Sequence, residues 1–244
     1  MTVPNSVLTQ GPVGSVDEFV ARLAALQQAL PPTDSLAYFN QMYALVTAAV
    51  SQTVGASAFA DPVWITTLDV VFANLYLDAA RDSVQSPDAV PRAWAALLER
   101  RSDPRITPLQ FALAGMNAHI NHDLPVALVA VCTQLQTTPD SGSHHADFER
   151  VNAVLASVEP AIRKSVEDQL LLDADQVVPG LQDVVANFDM GKAREAAWSN
   201  ARTLWFLQQN AGNASDAAAF LSALDHLTGF AGRGLLVPLL NPHA

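Results

Sequence analysis

From residue 15 onward, long stretches in which apolar residues return every three or four positions alternate with short stretches of Pro, Asp, Ser, Thr and Gly. That period belongs to helices that bury one face. "SVDE" at 15–18 reads as a capping box that opens a helix to about Leu30, and "PPTD" ends it ahead of "SLAYFNQMYALVTAAV". Asp61-Pro62, an N-cap followed by proline in the first turn, opens "VWITTLDVVFANLYLDAARDSV". "RAWAALLERR", "LQFALAGMNAHINH", "VALVAVCTQL", "FERVNAVLASVEPAIRKSVEDQLLLDAD", "LQDVVANFDMGKAREAAWSNARTLWFLQQ" and "AAAFLSALDHLTGFAGRGLLVPLL" follow, with a kink expected at Pro160. "TTPDSGSHHAD" is the clearest internal loop, in which Asp147 reads as an N-cap beside a solvated His144-His145 pair. No β-branched run of period two and no repeat is present. The pattern predicts an all-α fold, a single-domain multi-helix bundle of about eight or nine helices over residues 15–244, behind a flexible tail at residues 1–14.

Residues 107–136 are apolar on nearly every face, which marks a buried central helix pair. Polar residues inside it therefore carry information, because a buried polar group without a partner costs about 1–3 kcal/mol. "GMNAHINHDLP" at 115–125 holds Asn117, His119, Asn121, His122 and Asp123. Met116 and His119 share one stripe, and His122 and Asp123 continue it at three and four residues on. Leu124 precedes Pro125 and is biased away from helical angles, so a break between two core helices is expected here, with Asp123 capping the second.

Three readings fit this segment. In the first, the polar groups satisfy backbone carbonyls freed at the break. In the second, His119 and His122, one turn apart, share a divalent metal ion, with Asp123 as a third ligand or an orienting partner. In the third, a histidine poised near neutral pH by burial and a carboxylate performs acid/base chemistry without metal. The His-Asp pair of "HINHD" is also found in HD-type phosphohydrolases. Those proteins need a histidine on an earlier helix, and none precedes His119 here. H-E-x-x-H, G-x-S-x-G, G-x-G-x-x-G and P-loop motifs are absent.

Other positions become candidates by sharing a helix face. Asp69 sits beside an apolar stripe and shares an edge with Phe72 and Tyr76; with Asp123 it could orient or charge a histidine. Tyr43, Asn117 and Asn121 could hydrogen-bond a ligand. Arg194, Trp198 and Arg202 form a ladder four residues apart, the arrangement of a guanidinium stacked on an indole. An inward Arg202 would have to meet an acid, Asp69 or Asp123, and could hold an anionic or carbonyl group of a substrate.

Composition narrows the partners. Half of the residues are hydrophobic and 15% are charged, against the usual quarter, which favours a hydrophobic ligand. A net charge of −11 repels phosphate backbones, and the basic clusters Arg100-Arg101-Arg105 and Arg163-Lys164 read as helix ends. Neither nucleic acid nor membrane is an expected partner, and self-association is left open. The lone Cys132 lies in an apolar run and reads as core. With no recognisable signal peptide and no apolar run of the 18 or so residues a membrane span needs, the expected location is cytoplasmic.

"PLQFALAGMNAHINHDLPVAL", with "YFNQMY", "LDVVFANLYLDA" and "AREAAWSNARTLW", resembles an actinobacterial family of all-helical proteins classified as a domain of unknown function, over about residues 35–236. The resemblance implies a site at the GMNxHINHDL-type segment and no particular chemistry. The leading expectation is a small-molecule enzyme acting on a largely hydrophobic substrate through a buried His/Asp site. Cyclisation, isomerisation or elimination would be driven by acid/base chemistry, with or without a divalent metal on His119 and His122. Its catalytic groups would be His119, His122, Asp123 and Asp69. Arg202, Tyr43, Tyr76, Asn117, Asn121 and Trp198 would contact the substrate. The alternatives are a non-catalytic helical binding protein for an apolar ligand and a helical interaction scaffold.

Overall fold

A computed structural model describes residues 5–53, 58–172, 189–210, 212 and 214–238. Its elements are α1 (Asn5–Leu8), α2 (Val16–Ala29), α3 (Ser35–Thr53), α4 (Pro62–Gln85), α5 (Arg92–Leu98), α6 (Pro108–Ala118), a π-helical turn (His119–Asp123), α7 (Leu124–Gln134), α8 (His144–Leu172), α9 (Met190–Gln209) and α10 (Ala214–Leu235). Among the described residues there is no strand, so the fold is all-α, as the periodicity requires. The expected helix start near Leu181, the side chains of Arg163 and Lys164, and Asn213 and His243 lie outside the described residues.

Local chemistry explains most boundaries. Ser15 caps α2 by accepting from the Glu18 backbone N–H, and Asp61 caps α4 by accepting from that of Trp64 at 2.9 Å. Thr107 and Gln110 form a complete capping box at α6, with Pro108 in the first turn. Three expectations change. Residues 5–14 do not run loose: Leu8 and Val13 are buried, and the Val13 backbone exchanges two hydrogen bonds with the Asn74 side chain. Asp147 lies inside α8, which begins at His144, and its carboxylate accepts from the backbone N–H groups of Ala60 and Asp61. It thereby ties the start of α4 to α8 instead of capping. His144 is buried and stacked on Trp64 at 4.4 Å, not solvated.

Two apolar clusters fill the interior. The first gathers α1 to α6, with Phe39, Tyr76, Trp94 and Phe111 among its largest members. The second joins α4, α7, α8 and α9 around Trp64, Leu128, Phe148 and Trp198. Met116, just before the π turn, packs against both. Cys132 is fully buried and burial pushes its thiol up to about 11, so it is a core residue. Of the described helices, α4 is long and apolar enough to cross a membrane by length and composition. In this fold its Trp64, Leu68, Tyr76 and Ala80 are buried among the other helices.

Close backbone approach sets two of the helix crossings. A Cβ on Gly115 would lie 2.4 Å from the Phe39 ring, and one on Gly229 would lie 2.5 Å from the carbonyl oxygen of Arg92. α10 can thus pack against α5 only with glycine at residue 229. Gly229→Ala is expected to cost about 1–3 kcal/mol by overpacking. Gly234→Ala, on the same helix with open space around it, should be neutral or stabilising by up to about 1 kcal/mol. Urea unfolding of the two variants checks the pair.

Candidate functional site

The histidine segment does not break the helix. Leu124 keeps helical angles, φ −62° and ψ −44°, and its N–H reaches back five residues to the His119 carbonyl. Pro125 lacks an N–H, and its ring would crowd the carbonyl four residues earlier in a regular α-helix; the wider π turn just ahead accommodates it. Asp123 is itself helical and makes no side-chain cap. Its freed carboxylate turns inward.

That carboxylate is buried and receives three donors. Trp94 Nε1–H and His119 Nδ1 meet Oδ2, each at 2.9 Å, and His122 Nδ1 meets Oδ1 at 2.8 Å. Burial opposes the anion, but the hydrogen bonds from the two histidines and their charges outweigh it and hold the Asp123 carboxyl below the usual range. An ionised carboxylate only accepts, so both histidines present Nδ1–H to it.

The two rings then have different fates. His122 reaches toward Asp225 of α10, with Nε2 3.6 Å from its carboxylate. Burial lowers the pKa of His122, yet the Asp123 hydrogen bond and the charges of Asp123 and Asp225 override it and leave it raised above 6.5. Asp225 also accepts from the backbone N–H groups of Arg92 and Ala93, capping α5 from a distant helix. His122 does not line the cavity that borders His119, and its two carboxylate neighbours favour its protonated form. His119 is fully enclosed, stacked on Phe72 at 3.6 Å and edged by Tyr43 at 4.7 Å. Burial, aided by the charge of Arg194, brings its pKa below 6.5 against the pull of Asp123. With Nδ1 donated to Asp123, neutral His119 carries its lone pair on Nε2. That atom is buried and has no hydrogen-bond partner among the described residues.

His119 lines a cavity of about 140 Å³ at the seam between the two clusters. Its apolar lining includes Phe19, Phe39, Met42, Phe72, Leu68, Ile120, Leu155 and Met190. Its polar groups include Tyr43, Asp69, His119 and Arg194. Asp69 lines the cavity and is exposed there. Desolvation by the surrounding helices raises its carboxyl to about 6, and the Arg194 charge draws it back down; its exposure acts in the same direction as Arg194. Burial raises the Tyr43 phenol well above its ordinary value, with the negative charges of Asp69 and Asp123 adding to it, so it stays a donor.

Of the ten residues expected at a site, Asp69, His119 and Tyr43 meet at the cavity, with Asp123 directly behind His119. The other six do not line it. Arg202 is on the surface, paired with Asp140 at 2.9 Å, because it lies one residue past the buried Ala201 and so outside the inward stripe of α9. Arg194 occupies that stripe instead; the apolar phase of Ala197, Trp198, Ala201 and Leu204 was the signal that could have picked it out. Trp198 packs in the second cluster against Phe148 and Trp64. Arg194 lies over Phe148, not over the indole. Tyr76 donates its hydroxyl to Asn40 in the first cluster. Asn117 donates to the Thr228 carbonyl and Asn121 to Asn117, which joins the segment to α10. Nor do His119 and His122 form a metal pair through Nδ1, since both those atoms bind one carboxylate. Among the described residues a three-ligand set of metal-binding type occurs at His145, Glu149 and Glu195, on the surface.

The model of the family of unknown function DUF5995 matches residues 16–238, so the chain belongs to that family. No curated protein and no solved structure matches it.

A cation held between two carboxylates has a clear pH signature. The folded pKa of His122 is raised above 6.5, so its stabilising contribution is fully present below 6.5 and is lost as pH rises through the folded value. The stability difference between wild type and His122→Gln should therefore be largest near pH 5.5–6 and shrink toward pH 9. Urea midpoints of both proteins across that range measure it.

Proposed function

We propose that this member of DUF5995 is a small-molecule enzyme that moves protons on a largely hydrophobic substrate, with His119 as the general base. The observation that carries the reading is the His119 Nε2 atom, a buried lone pair without a partner on a ring lining an apolar cavity, while Nδ1–H is fixed on an ionised carboxylate. A carboxylate behind a histidine selects its tautomer and stabilises the imidazolium that forms when Nε2 takes a proton.

The remaining groups complete a proton-transfer set. His119 is neutral near pH 7 and ready to accept. Asp69, shifted to about 6, exchanges a proton near neutrality, and the Tyr43 phenol donates a hydrogen bond to an oxygen on which charge builds. A base and an acid of different strength in one largely apolar cavity suit an isomerisation, in which a proton leaves one substrate atom for His119 and another is delivered elsewhere by Asp69. Elimination and cyclisation use the same two transfers. A second reading follows from the walls, which are mostly aliphatic and aromatic side chains: a non-catalytic binder of an apolar ligand.

Incubation of small apolar carbonyl compounds in D2O with the protein, followed by NMR, separates the two. Wild type should exchange substrate protons for deuterium. His119→Gln should lower that rate on the order of 10²–10⁴-fold while still binding. The rate should be flat above pH 6.5 and fall on the acid side as His119 becomes charged. Saturable binding with no exchange, or equal rates in the variant, would establish the binder instead.

A further inference from the structure

We infer that the cavity is built for a small apolar monocarboxylate, with Arg194 as the group that takes the carboxylate. The assignment rests on reading the cavity as the substrate site. Arg194 is 7% exposed, yet its side chain is part of the cavity wall. Its guanidinium is held from behind: Nε donates to Asn152 Oδ1, and the plane lies over the Phe148 ring at 4.4 Å. Asn152 is itself positioned by donating to Glu149 and Glu195. Among the described residues its Nη groups make no hydrogen bond and no ion pair, and the charges of Asp69, Glu149 and Glu195 act on it from beyond contact distance. A rigid, enclosed cation with its fork unoccupied matches the two oxygens of a carboxylate, which a guanidinium binds bidentately.

Charge and size narrow the class. Around the cavity the other groups are a neutral imidazole, a phenol and one acid, Asp69, which is exposed there, titrates at about 6 and offsets part of the Arg194 charge. One cation facing them suits a single negative charge better than a phosphate dianion, and it repels an amine. A volume of about 140 Å³ is close to that of an engineered apolar cavity that admits benzene. The apolar body is therefore about one ring or a short aliphatic chain, set against Phe72, Leu68 and Met116.

Calorimetric titration of the full-length protein with benzoate, benzamide, benzylamine and inorganic phosphate tests the assignment. Benzoate should bind saturably, and the isosteric amide at least ten times more weakly. Arg194→Gln should weaken benzoate at least tenfold without weakening benzamide, and Arg194→Lys should recover part of the loss. Should Arg194→Gln fail to fold by circular dichroism, the comparison of acid with amide on wild type decides alone. Benzamide or benzylamine binding as well as benzoate, phosphate displacing benzoate, or no saturable benzoate binding would each overturn the carboxylate assignment. Carboxylate binding by wild type with no proton exchange on any carboxylate would sink the enzymatic reading and leave the ligand class standing.

Discussion

The Asp123 carboxylate, buried at the π turn and satisfied by Trp94, His119 and His122, is the interaction around which this molecule is organised. An unpaired anion at that depth would cost several kcal/mol. Its three donors come from α5 and from both histidines of the turn, so the helix cannot return to regular α geometry without disturbing all of them. Through His122 the same cluster extends to Asp225 and the first turn of α5. A polar knot thus fixes the central helix pair against α5 and α10. Hydrophobic packing, which is non-directional, leaves their register free to slide.

The knot also explains how two histidines three residues apart divide their work. Both give Nδ1–H to one carboxylate, yet His122 has a second acid beside it and His119 has aromatic rings and a distant guanidinium. The first environment favours the imidazolium and the second the neutral ring. One histidine becomes an internal counter-ion, and the other keeps a free lone pair next to a cavity. That cavity is lined by residues of both apolar clusters, with His119 and Ile120 of the π turn in its wall.

Much of this was legible from the chain. Apolar spacing set the all-helical class, and residue chemistry set the caps at Ser15 and Asp61. The apolar surroundings of residues 115–125 singled out His119 and Asp123 as groups that had to be paired inside the core. Asp69 and Tyr43 were identified by the edges of helices they share. Where the reading failed, it failed in phase or in partner. An inward Arg202 does not occur, because the stripe of Ala197, Ala201 and Leu204 admits Arg194. Asn117, Asn121 and Tyr76 were assigned to a ligand when Thr228, Asn117 and Asn40 claim them.

A sequence states which groups must be buried, because periodicity and side-chain polarity are local properties. It therefore determined the helices, the polar centre and the need for the buried polar groups there to find partners. Which groups meet depends on helix crossings set by contacts across more than a hundred residues, such as Asp225 with Ala93 or Gly229 with Arg92. Only the tertiary structure could decide that Leu124 stays helical, that both histidines turn to Asp123, and that Arg194 faces the same cavity as His119. Each of those outcomes is settled by where a distant backbone or charge comes to rest.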